Sequence, residues 1–225
     1  RALAPIPTLS TLYLATTILM TEGSEVQKQS WLPKIADGSV IATLAIHESD
    51  YSILNSGTPA QVTDGVLTGI KSPVPDGDIA HLAIVSAASS EGKISLYLVE
   101  LNGDATSTIP LEVIDPSKPQ SKIEFHRAQA EPIGSSGNAK KILENAYNRA
   151  AILLAFEQIG GADRALEMAC AYAMEKKSFG RLVGSYQAIK HKLAEVYVKN
   201  QLARAHAYGG ASALMDPSAN LSLSA

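Results

Sequence analysis

Between Glu175 and His191 the sequence reads EKKSFGRLVGSYQAIKH, and here Lys176, Lys177 and Arg181 crowd around Ser178, Phe179 and Gly180. Cations, a hydroxyl and backbone N–H groups close to a helix start are the groups that bind a phosphate or pyrophosphate. The same residues would also serve as a solvated, Gly-containing turn between antiparallel helices, and the sequence alone leaves both readings open. From Glu175 to Arg204 seven Lys or Arg stand against two Glu, in a chain whose net charge is −3. A locally positive surface on an acidic chain suits a polyanionic ligand.

Other patterns that carry chemistry are missing or badly spaced. The sequence has no GxGxxG for a dinucleotide fold and no GxxxxGK[ST] for a P-loop. Gly134-Ser135-Ser136-Gly137 lacks the GxSxG order of a nucleophile elbow and reads as a linker. His47, Glu48 and Asp50 are close in sequence, but alternation along a strand would put His47 and Glu48 on opposite faces, so no metal site is expected. Glu157 and Glu167 fall inside a helical pattern and read as solvent-side or interhelical groups; no residue is assigned a catalytic role.

These residues need elements to hold them. Ten of the eleven prolines fall at or before Pro132, so the stretch from there to Pro217 is free to form long helices. Apolar residues recur at helical spacing from Ile142 to Met174 and from Gln187 to Leu214. The first stripe takes in Ile142, Ala146, Ala150, Leu153, Ile159, Leu166, Ala169 and Ala173, and the second Ile189, Leu193, Val196, Ala203 and Ala207. Gly160 and Gly161 inside the first pattern each cost about 1 kcal/mol relative to Ala, which predicts a neighbouring helix packed close. Two helices cannot bury both faces alone, so further helices or another subunit must cover them.

From Val40 to His126 the pattern is β, with strands predicted at 40–46, 66–71, 81–87, 94–101 and 122–126. Asp64-Gly65, Asp76-Gly77, Glu91-Gly92 and Asn102-Gly103 are the turns between them. Poor alternation in Ser95–Val99 suggests that both faces of that strand are covered. Residues 127–139 read as a linker. Residues 8–36 read as two short helices. Thr8 or Ser10 caps the first and Gly23 ends it; Ser24 with Gln27 forms a capping box for the second, which stops near Pro33. The predicted class is α+β: a helical segment (1–38), an antiparallel β-barrel or sandwich (39–130) and the start of a C-terminal helical bundle (131–225).

With 46% apolar and 18% charged residues the chain is globular, and its acidity argues against a general nucleic-acid binder. No apolar run reaches membrane-spanning length. The single cysteine, Cys170, is expected to be a small buried hydrophobe, and its solitude suits a reducing cytoplasm. A first residue of Arg1 rather than Met, and an apolar, Ser-rich end at Ala225, suggest a piece of a longer protein.

Two segments, in the same order, resemble the acyl-CoA dehydrogenase family. Glu-Lys-Lys-Ser-Phe-Gly-Arg at 175–181, then Gln187 and Leu193-Ala194-Glu195, is similar to the pattern ER-x-x-FG-x-x-(I/V)-x-x-x-Q-x-x-x-x-x-LA-(D/E). Gly23-Ser24 through Gln27-Lys28, Trp31-Leu32-Pro33 and Ala36-Asp37-Gly38 resembles the helix that leads into the family's β domain. The resemblance implies α,β-dehydrogenation of an acyl-CoA thioester with FAD, a tetramer built on the C-terminal helices, and an electron-transferring flavoprotein as acceptor. It places Ile46, His47, Glu48, Pro73 and Pro75 at the flavin ring. Lys176, Ser178 and Phe179 would lie at the diphosphate of a flavin seated on a neighbouring subunit.

Departures from the family pattern matter as much. Ala45–Ser52 keeps only Glu48 of the usual (T/S)-E-P-x-A-G-S-D. In Leu67–Asp76, Gly69 and Lys71 match, but Pro73 and Pro75 replace an aromatic and a hydroxyl donor. Lys176 replaces an Arg and brings charge without a two-pronged fork. The segment around Pro73-Val74-Pro75 resembles bacterial members, some acting on steroid-derived thioesters and some sharing flavin sites between two kinds of subunit. The family's catalytic Glu would then lie beyond residue 225. A non-catalytic partner subunit of the same fold, with little or no flavin of its own, and a flavin monooxygenase of that fold are the other readings.

Overall fold

In the computed structural model, residues 4–48, 60–216, 218 and 220–223 are described. Pro5–Tyr147 forms one compact unit and Asn148–Ala225 a second.

The first unit opens with a helix whose first half, Thr8–Ala15, is wound as a π-helix before it continues as α1, Thr16–Glu22. Neither Thr8 nor Ser10 caps it. The N-cap is Pro7, and Ser10 instead donates through its hydroxyl to Asp76 at 2.5 Å, tying the helix to the far end of a β hairpin. Gly23 ends α1 as expected. The second helix, α2, spans Glu25–Ala36 and starts with the full capping box: Gln27 N–H donates to Ser24 Oγ at 3.2 Å, and Ser24 N–H to Gln27 Oε1 at 3.0 Å. It does not stop near Pro33. The proline sits in its last turn and the helix runs on to Ala36, with Asp37 N–H returning to the Pro33 carbonyl.

The β content is one eight-stranded sheet: β1 (Ala42–Ala45), β2 (Gln61–Thr63), β3 (Val66–Pro75), β4 (Leu82–Ala88), β5 (Ile94–Glu100), β6 (Thr106–Leu111), β7 (Gln120–Gln129) and β8 (Glu131–Ile133). Its order is β6-β7-β3-β2-β4-β5-β8, with β1 also on β4. Most neighbours are antiparallel, but β1 and β2 each pair parallel with β4. Val74, Ile123 and Phe125 from β3 and β7 share one buried cluster with Val85, Tyr97 and Val99 from β4 and β5. The sheet therefore curls over a common core, and Ser95–Val99 are buried at every position. Asp64 and Gly65, at φ 50° and 75°, make the two-residue turn between β2 and β3 that both left-handed residues allow.

The expected linker at 127–139 is mostly strand. Backbone pairing carries β7 to Gln129 and β8 to Ile133, so the connection to the next helix is only residues 134–138. Pro110 and Pro132 lie on β6 and β8, at the two ends of the strand order, where a missing N–H does least harm.

A single helix, α3, runs Ala139–Glu175, and α4 spans Gln187–Leu214. In the second unit the two are joined by side chains: Asn200 donates to Asp163 at 3.2 Å, Arg204 pairs with the same carboxylate, and Tyr208 meets Phe156 edge to face at 5.4 Å. A Cβ added at Gly161 would meet open space, so no close helix explains that residue among the described ones. Cys170 is exposed rather than buried, because it lies in a stretch of α3 where most positions face outward. Glu157 and Glu167 are exposed too, and Glu167 pairs with Arg164 one turn back at 3.4 Å.

Candidate functional site

Within the β unit the fold brings two sequence-distant segments together. The strand β1 ends at Ala45, and the chain from Ile46 to Glu48 then runs beside the second half of β3. Ser72 N–H donates to the His47 carbonyl at 2.9 Å, and Thr43 Oγ1 donates to the Pro75 carbonyl at 2.5 Å. Pairing of β3 with β7 shifts register between Lys71 and Val74, so Ser72 and Pro73 stand out of the ladder, with a cis peptide bond between them. Ser72-Pro73 thus lies beside His47 in the Ile46–Glu48 segment, while Pro75 lies beside Thr43 on β1. Asp50 and the rest of the 49–52 segment lie outside the described residues.

The residue that organises this cluster is Lys71, whose side chain is fully buried. Its ammonium lies 2.6 Å from Glu48 Oε1, 3.2 Å from Ser86 Oγ and 3.4 Å from the Ile46 carbonyl. Burial pushes the lysine below its ordinary value, while the hydrogen bond and charge of Glu48 pull it up. His47 is held below the usual imidazole range, first by burial and then by the positive charge of Lys71. Both His47 and Glu48 lie within electrostatic reach of Lys71, because regular alternation has ended with β1. The signal in the sequence was a lone lysine in register with buried Leu67, on an otherwise apolar face of β3.

In the helical unit the cation-rich stretch is not a plain turn into a helix. Lys177–Ser178 (β9) and Arg181–Leu182 (β10) pair as a small antiparallel hairpin. Its two-residue loop puts Phe179 at φ 50° and Gly180 at φ 78°, both left-handed, as the favoured hairpin turn requires. Phe179 is 95% exposed. A bulky residue held at positive φ with its ring in water is backbone strain spent on presenting that residue. The base of the hairpin is fixed on α3: Lys176 N–H donates to the Tyr172 carbonyl, and Val183 N–H to that of Lys176. A 3-10 turn, Val183–Ser185, packs so tightly that a Cβ on Gly184 would lie 2.9 Å from the Ala173 carbonyl oxygen. Only then does α4 begin, so Lys176, Ser178 and Phe179 lie a hairpin's length from its N-terminus.

Tyr186 precedes α4 and completes the arrangement. Its hydroxyl donates to the Ser178 carbonyl at 2.8 Å, and the guanidinium of Arg181 lies over its ring, 3.9 Å from the centroid. Sequence reasoning named Arg181 as a cation but not as a site residue, and it missed Tyr186, which meets Ser178 eight positions away with no local pattern to announce it.

A curled, antiparallel-rich sheet preceded by short helices and followed by long ones, with a strained cationic hairpin between the last two, defines an α+β architecture of acyl-CoA dehydrogenase type. Residues 140–220 match the family model described as the acyl-CoA dehydrogenase C-terminal domain. The chain is 29% identical over 205 residues to acyl-CoA dehydrogenase IpdE2 of Mycobacterium tuberculosis, covering 91% of this chain and 51% of that protein. A 56-residue stretch is 52% identical to IpdE2 of Mycolicibacterium smegmatis, which is 25% of this chain and 18% of that one. Among solved structures, the Tcur3481-Tcur3483 steroid ACAD, in a variant form, superimposes with a TM-score of 0.80 at 26% identity, covering 98% of this chain and 60% of its own. Butyryl-CoA dehydrogenase from Megasphaera elsdenii shares the fold with a TM-score of 0.83 at 22% identity, covering 91% of this chain and 57% of its own. These matches support an acyl-CoA dehydrogenase fragment, and the chain spans about half the length of the first curated relative it matches.

Members of this family are in general flavoproteins, and the two candidate segments, one in each unit, offer a flavin cofactor different groups. The hairpin offers exposed Lys176, Lys177 and Arg181 and a left-handed loop, which suit a diphosphate. In the β unit, Pro73 and Pro75 have no N–H, and that of Ser72 is already given to the His47 carbonyl.

Proposed function

We propose that the whole protein is an FAD-dependent acyl-CoA dehydrogenase of the bacterial, steroid-type subgroup, which converts an acyl-CoA thioester to its 2-enoyl-CoA in the cytoplasm and passes electrons to an electron-transferring flavoprotein. The observation that carries this reading is the strained hairpin at 177–182, which falls inside the matched domain and has no packing role for its exposed Phe179. When bound, FAD supplies the acceptor for the hydride that leaves the β carbon as the α proton is removed by a base. Lys176, Arg181 and the hairpin backbone would hold the diphosphate through charge-assisted hydrogen bonds, and Phe179 would lie along the flavin. Ile46–Glu48 and Ser72–Pro75 would form the wall behind the ring, kept in place by buried Lys71. We assign no catalytic base. No helix among the described residues is long and apolar enough to cross a membrane.

The scarcity of donors at the ring end supports a second reading, a partner subunit in a heteromeric dehydrogenase that shares or lacks the flavin site. The two readings separate on purification of the full-length protein, alone and co-expressed with the product of the adjacent reading frame. A yellow protein that holds FAD and desaturates an acyl-CoA supports the enzyme. A colourless protein that takes up no added FAD, and gains none in a complex, sinks the first reading.

A further inference from the structure

We propose that Arg181, laid against the ring of Tyr186, is the residue that grips a diphosphate with two parallel hydrogen bonds in this protein, and that Tyr186 is its positioning residue. The inference rests on the flavin reading above and names the gripping groups at that same end.

Three cations surround the hairpin, and they are not equivalent. Lys176 and Lys177 carry point charges on flexible stems, which attract an anion without fixing its orientation. Arg181 carries a planar guanidinium with five donors along its edge. The guanidinium carbon lies over the Tyr186 ring, 3.9 Å from its centroid, and the residue is exposed, so its N–H donors are within reach of a ligand in solvent. The ring is itself held at both ends. Its backbone caps α4, where its carbonyl accepts from the N–H groups of Ile189 and Lys190, and its hydroxyl donates to the Ser178 carbonyl at 2.8 Å. Ser178 is the residue paired with Arg181 across the hairpin. The fork is therefore fixed relative to the loop's N–H groups before a ligand arrives, which lowers the entropy lost on binding. Where Lys176 supplies only charge, Arg181 supplies the directional contact.

Binding of FAD and of ADP, a probe with the diphosphate but no flavin, to the full-length protein in its native assembly tests this by calorimetry. Arg181→Lys keeps the charge and removes the fork, and it should weaken both ligands by roughly tenfold or more. Lys176→Ala should cost less than Arg181→Ala. Tyr186→Phe, which keeps the stack and loses the hydroxyl, should fall between wild type and Tyr186→Leu. Arg181 is exposed, so its variants should melt with wild type, which confirms that they fold. If Arg181→Lys binds both ligands as wild type does, charge suffices and the proposal is overturned while the flavin reading stands. If the wild type binds ADP in an Arg181-dependent way but takes no FAD, the flavin reading fails and the proposal holds. A wild type that binds neither removes both.

Discussion

A lysine with no exposed side-chain surface is costly, and Lys71 is tolerated because Glu48, Ser86 and the Ile46 carbonyl take up its three donors. The cluster joins the end of β1, the middle of β3 and β4, so it sets where the Ile46–Glu48 segment lies. Lys71→Met should destabilise the protein by about 3–5 kcal/mol, because it leaves Glu48, whose side chain is 15% exposed, without its partner. Adding Glu48→Gln should then recover much of the loss, since the second buried charge is gone. Urea unfolding of the four proteins in the cycle measures this. Strictly additive losses in the double variant would show that the two side chains are not coupled.

At the scale of elements, most of what could be read from sequence had a local cause. Ser24 and Gln27 stand at the spacing of a capping box and form one; the proline-free stretch after Pro132 is α3 and α4; Asp64-Gly65 is a tight hairpin turn. What escaped notice depended on partners distant in sequence. Thr106–Leu111 and Glu131–Ile133 are strands because β7 and β5 pair with them, and each tolerates a proline at its end of the strand order. The hairpin at 177–182 was hidden for another reason: Phe179 is a poor candidate for a left-handed turn, so nothing in the sequence separated β9 and β10 from a helix end. That mismatch gives a prediction. Phe179→Gly relieves the positive φ and loses almost no burial, so it should leave stability unchanged or raise it by about 1 kcal/mol. The same change should weaken FAD retention. Melting temperature and cofactor content, measured on one preparation, separate the two effects. A destabilised Phe179→Gly variant that retains FAD fully would mean that the ring serves the fold rather than the ligand.

For the molecule as a whole, the helical unit carries several large apolar side chains in the open. Tyr197, Val198, Leu202 and Tyr208 on α4 are each more than half exposed, as are Met168, Tyr172 and Met174 on α3. In the tetramer that the family resemblance implies, further subunits would cover these faces, and the hairpin of one subunit would close on the flavin of its neighbour. Assembly and cofactor retention should then be a single linked equilibrium, because a ligand that bridges two subunits stabilises only the associated form. Val198→Glu with Leu202→Glu puts two charges on the α4 face, more than 10 residues from the hairpin in sequence and without changing any of its side chains. Light scattering should report a smaller species than wild type, and FAD should be lost over the same range of protein concentration in which the mass falls. Added FAD should in turn shift wild type toward the larger species at low concentration. If the mass falls while FAD stays bound to the small species, one subunit holds the whole cofactor, and the hairpin does not reach across to its neighbour.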